Sequence, residues 1–286
     1  MTRKLLSINL GNFGSTGKIM RFISHIAEEN GFETYQAYPE NKNNVEKNAR
    51  DITICSYYYS RVNERLAYYS GLRGIQSFFP TLIFLKKIRA IDPDIVHLHN
   101  IHGNFINLPL LFGYLKKHGI KVVWTLHDCW SFTGQCPYFD YIHCEKWKTG
   151  CHDCEQLSRY PAAKIDHTRL KWKLKRKWFT GIDNLFIVTP SDWLMHLVKQ
   201  SYLRDYPVTV INNGIDTEVF KPTKSKLREK YKLDDAFVIL GVAYDWEPRK
   251  GLNVFIKAAK VLPDDCRIIL IGTNDNVDRQ LPDNII

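Results

Sequence analysis

The run Val122–Asp128, VVWTLHD, constrains the fold more than any other stretch of the chain. Val122, Val123, Trp124 and Leu126 are apolar or β-favouring residues in near-continuous order, the pattern of a strand covered on both faces. His127 and Asp128 would be costly to bury unpaired, so they should sit at the carboxyl edge of that strand. In an open parallel sheet, that edge is where ligands bind.

Similar units recur along the chain. Lys4–Leu10 predicts a first strand, followed by the glycine-rich turn GNFGSTG and a helix whose residues Ile19, Phe22, Ile23, Ile26 and Ala27 share one face. A Walker A loop is excluded, because Asn12 stands where glycine is needed and Ile19 where Ser or Thr is needed. What remains is either a plain tight turn or one whose Gly14 and Gly17 let a ligand approach the backbone. Ile52–Cys55 predicts a short strand. The tyrosine-rich Tyr57–Tyr69 is partly helical, and reads as a packed helix face ahead of a sugar or lipid platform. A helix follows over Gln76–Ile91, broken or started near Pro80.

Asp94–His99, DIVHLH, is the next strand, and it too ends in polar residues: His97, His99, Asn100 and His102. Leu108–His118 predicts a helix stopped by Gly119, Leu185–Thr189 a strand, Ser191 the cap of a helix running towards Tyr202, and Val208–Ile211 one more strand. This alternation predicts an α/β domain over residues 1–212. From Asn212, NNGIDTEVFKPTKS is rich in turn formers and lacks periodicity, so it reads as a linker. A second α/β unit begins with a strand at Phe237–Val242, a helix at Gly251–Val261 and a strand at Arg267–Ile271. Two strands and one helix cannot cover a parallel sheet, so 213–286 should be a linker plus an incomplete second domain, and the chain a fragment or truncated product.

The 286 residues favour two domains, and 44% hydrophobic with 24% charged residues excludes long disorder. Lys4–Leu10 is too short for a signal-peptide core and no apolar stretch approaches 20 residues, which predicts a cytoplasmic protein. A formal charge of +10 suits anionic partners: phosphorylated small molecules, acidic lipid headgroups or nucleic acid. Nucleic acid is disfavoured, since the basic residues gather chiefly on one helix without an aromatic RNA-binding signature. That helix, Arg169–Phe179, places Leu170, Leu174 and Trp178 on one face. Its cations suit anionic lipid at the inner face of the plasma membrane, or the helix packs on its own domain with a solvated charged face.

Five of the seven cysteines crowd into Cys129–Cys154. A cytoplasmic chain argues against disulfides. Cys136, Cys144, Cys151 and Cys154, with seven, six and two residues between them, either hold structural zinc or are free buried thiols.

In the loop GVAYDWEPRKGL, Arg249 and Lys250 precede a helix amino terminus, where two cations and the helix dipole suit a diphosphate; solvated surface charges are the alternative. With this loop, the motifs GSTGKI, DIVHLHNIHG, VVWTLHDCWSFTGQC, VTPSDWL, INNGIDTEVF and GVAYDWEPRKG stand in an order that resembles glycosyltransferase family 4 along the whole chain. Members are retaining enzymes of the two-domain GT-B fold, many of which build capsule, exopolysaccharide or O-antigen chains. The resemblance implies a nucleotide-sugar donor on the second domain, a saccharide or lipid-linked saccharide acceptor on the first, and no catalytic metal. It likens His127 to the cleft histidine that contacts the transferred sugar or acceptor, and Gly14 and Ser15 to the loop near the donor phosphates. Lys250 and Arg249 take the place of the basic pair, Lys250 more securely, and His99, Asn100 and Asp128 are expected on the acceptor side. The family's glutamates, seven residues apart, lie in a later segment that these residues do not include, so turnover by this chain alone is expected to be weak. A catalytically silent pseudo-enzyme or a basic phospholipid-docking module is the alternative; an epimerase or phosphorylase reading lacks its deciding residues.

Overall fold

The structure, a computed structural model, describes residues 2–233 and 235–286. Two compact units, Met1–Gly214 and Ile215–Ile286, divide the chain. Among the described residues, the first holds seven parallel strands: β1 (Lys4–Ile8), β2 (Glu33–Tyr38), β3 (Ile52–Thr53), β4 (Ile95–Leu98), β5 (Lys121–Thr125), β6 (Leu185–Thr189) and β7 (Val208–Val210). Their order is β3-β2-β1-β4-β5-β6-β7. Helices α1 (Gly14–Glu29), α2 (Tyr57–Ser70), α3 (Phe78–Ile91), α4 (Leu108–His118), α5 (Thr168–Phe179) and α6 (Asp192–Gln200) connect them.

Local chemistry sets several of these boundaries. Asn107 caps α4 by accepting from the Leu110 amide at 3.1 Å, and Gly119 ends the helix at φ 60°. Ser191 caps α6 in the same way, accepting from the Leu194 amide at 3.3 Å. The register pairs Ile8 with Leu98, Leu98 with Trp124, and Thr125 with Val188. The polar tails of β1, β4 and β5 therefore leave the sheet together at one edge. Behind them, Trp124 packs on Phe179 with ring centroids 5.0 Å apart, and Phe179 on Phe112 at 4.6 Å. Burying each such ring contributes roughly 2–3 kcal/mol.

Three local readings change. Strand β2, ETYQAY, was hidden by polarity: Thr34 and Gln36 are buried, and the Thr34 hydroxyl donates to Glu28 at 2.5 Å. Helix α1 buries Gly17, Met20 and Ser24, while Phe22 and Ile26 of the expected face are exposed. The turn before α1 folds tightly onto its first turn: a Cβ on Gly17 would come within 2.5 Å of the Asn12 backbone. Gly17 thus serves the tight turn.

Helix α5 buries Thr168, Lys171, Trp172, Lys175 and Phe179, whereas Leu170 is exposed and Leu174 and Trp178 are half-buried. Its two inward lysines find partners. The Lys175 ammonium donates to the carbonyls of Thr133, at 2.9 Å, and Trp130, and lies 3.6 Å above the Trp130 ring. Lys171 donates to Gln135. Burial lowers Lys171 to about 8 and Lys175 well below its ordinary value, and both hold the cysteine-rich loop and are not turned to a lipid surface.

The second unit pairs β8 (Phe237–Val242) with β9 (Cys266–Ile271) in parallel. It adds α7 (Leu227–Lys230), α8 (Leu252–Ala259) and α9 (Asp275–Asp278). Ile285 bridges to Ile268 on β9, and Trp246, Leu252, Leu270 and Ile285 share a small core.

Candidate functional site at the carboxyl edge of the first sheet

The ends of β4 and β5 place His99 and His127 side by side. His99 Nδ1 lies 3.1 Å from His127 Nε2, with the rings stacked at 12°. His97, one step inside the sheet, bonds through Nε2 to the Thr125 hydroxyl at 2.8 Å. The Trp124 indole donates to the His99 carbonyl at 3.2 Å. Burial holds His127 and His97 down to about 4, and His99 well below its ordinary value, so near neutral pH all three rings are uncharged.

Asp128 plays two roles. Its Oδ1 accepts from the Trp130 amide at 2.9 Å, fixing the turn after β5. Its Oδ2 lies 3.4 Å from His102 Nε2, an ion-pair approach. Burial pushes the carboxyl up, but His102 and the Trp130 amide bring it below the usual carboxylate range. His99, Asn100, His102, His127, Asp128 and Trp130 line one small cavity of about 10 Å³.

Asn9, at the end of β1, joins this cluster to the glycine loop. Its Oδ1 accepts from the Asn100 amide at 3.1 Å, while its Nδ2 donates to the Gly11 carbonyl at 2.7 Å and the Thr16 hydroxyl at 3.3 Å. The sequence hid Asn9 between Ile8 and Leu10 in an apolar run, and the structure buries its side chain fully. Gly14 and Ser15 open α1, exposed, with no acidic residue in the first turn. Free amides and the helix dipole make that turn receptive to an anion.

The second unit contributes its own basic turn. Pro248–Lys250 forms a short 3-10 turn ahead of Gly251, which caps α8 at φ 77°. Arg249 donates to Glu247 at 2.9 Å, so its charge is partly countered, and Lys250 is exposed.

Cys136, Cys144, Cys151 and Cys154 line one cavity of about 20 Å³ in the loop after β5. The Gly134 amide donates to Cys151 Sγ at 3.0 Å. A hydrogen bond from Cys136 brings the Cys154 thiol down to about 7, while Cys136 itself is raised. Among the described residues, no three His, Cys, Asp or Glu side chains are grouped to hold a metal ion. The cysteines share a cavity without forming a ready ligand cage.

Fold and strand-edge site define the class, an α/β protein of two Rossmann-like units of GT-B type. The chain belongs to Glycosyltransferase Family 4, whose sequence profile matches residues 27–219. It is 36% identical over 174 residues to WcaC of Escherichia coli (strain K12), a protein assigned as a colanic acid biosynthesis glycosyl transferase. That match covers 57% of this chain and 42% of WcaC, so the chain spans under half of that relative. Sucrose-phosphate synthase from Thermosynechococcus elongatus is similar in fold, with a TM-score of 0.60 and 13% identity over 99% of this chain and 69% of that one. Anabaena HepE, solved with UDP, gives 0.57 and 14%, covering 98% and 64%. At such identities the likeness concerns the fold alone. Among the described residues, no helix is long and apolar enough to cross a membrane.

Proposed function

We propose that this chain carries the acceptor side and part of the donor side of a glycosyltransferase. The enzyme would move a sugar from a nucleotide-sugar donor to a growing surface polysaccharide or lipid-linked saccharide, with retention at the anomeric carbon. The observation that carries the reading is the uncharged His99–His127 pair at the carboxyl edge of β4 and β5, in a member of Glycosyltransferase Family 4. Likeness to WcaC supports a role in polysaccharide synthesis.

Each residue has a task in this reading. His127, partly exposed and neutral, bonds a hydroxyl of the transferred sugar or acceptor, and His99 fixes its ring. Asp128 holds the turn through Trp130 and steadies His102, while Asn100 is set by Asn9. In the second unit, Lys250 with Arg249 suits the donor diphosphate, whose charge grows as it leaves; in the first, the amino terminus of α1 at Gly14 and Ser15 is an anion-receptive turn of its own. No metal is needed for that step when cations and amides supply the countercharge.

HepE, solved with UDP, makes a uridine donor the first to try. A thermal-shift panel of nucleoside diphosphates tests donor binding, with stabilisation by one of them expected; no response to any diphosphate contradicts the donor assignment. Product anomer, read by NMR, tests retention: an α-linkage from an α-linked donor agrees, and a β-linkage contradicts it.

A further inference from the structure

Tyr160 stands 58 residues from His102 in sequence, yet its hydroxyl lies 3.2 Å from His102 Nδ1. On the far side of that ring, His102 Nε2 lies 3.4 Å from Asp128 Oδ2. A hydroxyl, an imidazole and a carboxylate thus stand in line at the carboxyl edge of the sheet, next to His127 in the chain. A carboxylate only accepts, so the proton facing Asp128 sits on His102 Nε2; in the neutral ring Nδ1 is then bare and accepts the Tyr160 O–H. The Tyr160 oxygen keeps its lone pairs for a further hydroxyl.

Tyr160 is 54% exposed although its hydroxyl is tied into the site. Its segment is anchored to the body of the unit. The buried Arg73 donates to the Ala162 carbonyl at 2.8 Å, the Lys164 amide to the Tyr68 carbonyl at 2.8 Å, and the Ala163 amide to the Leu157 carbonyl at 2.9 Å. A ring held in this way loses little freedom when a ligand covers it. The charged groups that act on Tyr160 are themselves paired, Arg73 with Glu64 by bonds of 2.9 and 2.6 Å and Asp128 with His102. An uncharged, hydroxyl-rich ligand suits such a place better than an anion.

The face of an aromatic ring packs on the C–H side of a pyranose, while fixed polar groups at its rim bond the sugar hydroxyls. We infer that Tyr160 is a saccharide-binding residue: its ring carries a pyranose unit of the acceptor, its oxygen accepts one of that unit's hydroxyls, and His102, held by Asp128, positions it. This rests on the glycosyltransferase reading for the identity of the saccharide as acceptor. The segment after β5 then serves to present Tyr160 at the edge where His127 stands.

Retention on an immobilised panel of neutral and acidic oligosaccharides, with no nucleotide present, tests the inference. The wild-type chain should bind at least one member. Tyr160→Ala should weaken that binding about tenfold, and Tyr160→Phe, which keeps the ring and loses the hydroxyl, about threefold. Tyr58→Ala, at an exposed position of α2, should leave it unchanged. All three variants should keep the wild-type melting temperature, and nitrogen-15 NMR at about pH 8 should find His102 protonated at Nε2 and bare at Nδ1. No binding by the wild type, equal binding by the wild type and Tyr160→Ala, equal loss in Tyr58→Ala, or the reverse proton position on His102 overturns the inference. Binding that depends on Tyr160 in a chain that transfers no sugar upholds the saccharide site and contradicts the transferase reading; transfer that Tyr160→Ala leaves unchanged does the opposite.

Discussion

His99 Nδ1 and His127 Nε2 approach to 3.1 Å at the ends of neighbouring strands, so one of the two nitrogens carries a proton and the other accepts it. Neither ring gains a charge easily: burial lowers His127 to about 4 and His99 well below its usual value. The folded-state value for His127 lies below the unfolded value of about 6.5, so the unfolded chain takes up the proton first. The stability tied to a neutral His127 is therefore complete above about pH 6.5 and is lost as pH falls towards 4. The loss for His127 alone reaches about 3 kcal/mol. Urea unfolding at pH 7, 5.5 and 4.5 should show this decline, and His127→Gln should make it shallower. An identical slope in the variant contradicts the assignment.

Gly17 and Gly14 separate two demands of the first turn. A Cβ on Gly17 would meet the Asn12 backbone at 2.5 Å, so Gly17→Ala should cost about 1–3 kcal/mol by overpacking. Gly14 faces open space but has φ 67°, so Gly14→Ala should cost about 1–2 kcal/mol through backbone conformation alone. Thermal unfolding of both variants checks the pair; a harmless Gly17→Ala would refute close packing of the Gly11–Asn12 turn on the start of α1.

Lys175 holds the cysteine-rich loop by bonding the Trp130 and Thr133 carbonyls. Lys175→Met keeps the volume but leaves those acceptors without their donor, so a loss of about 2–4 kcal/mol is expected. Lys173→Met, at an exposed position of the same helix, should stay within about 0.5 kcal/mol. Equal stability of the two variants in urea contradicts the buried role.

Cys136, Cys144, Cys151 and Cys154 share one cavity without forming a ready ligand cage, so free thiols are the expected state. Elemental analysis of purified protein should find zinc far below one per chain, and chelation should leave the melting temperature unchanged. About one zinc per chain, with a melting temperature lowered by chelation, contradicts this.

Much of the first unit was legible because its central strands are largely apolar. Val122–Thr125 and Leu185–Thr189 are continuous apolar or β-branched runs, and Leu108–His118 has a cap, a proline and a closing glycine. Where burial falls on polar residues, pattern reading fails. Glu33–Tyr38 was missed for that reason, and the faces of α1 and α5 were rotated by Gly17, Ser24, Lys171 and Lys175. At the site, His99, His127 and Asp128 were visible because they interrupt apolar runs at strand ends. Asn9 was not, since its importance comes from a bond to Asn100, 91 residues away in sequence. Tyr57–Tyr69 suggested a packed face, yet Tyr58 and Tyr69 are among its most exposed residues. Sequence pattern reports that a helix is amphipathic and leaves open what covers its apolar side.

The central claim is sugar transfer at the edge where His127 stands. Incubation with a radiolabelled uridine nucleotide-sugar and a lipid-linked saccharide acceptor measures it most directly, comparing the wild-type protein with His127→Ala. Label should pass to the acceptor at a low rate in the wild type and fall by about 100-fold in the variant, a loss of some 2.7 kcal/mol of transition-state stabilisation. Equal transfer by the two proteins would contradict the account.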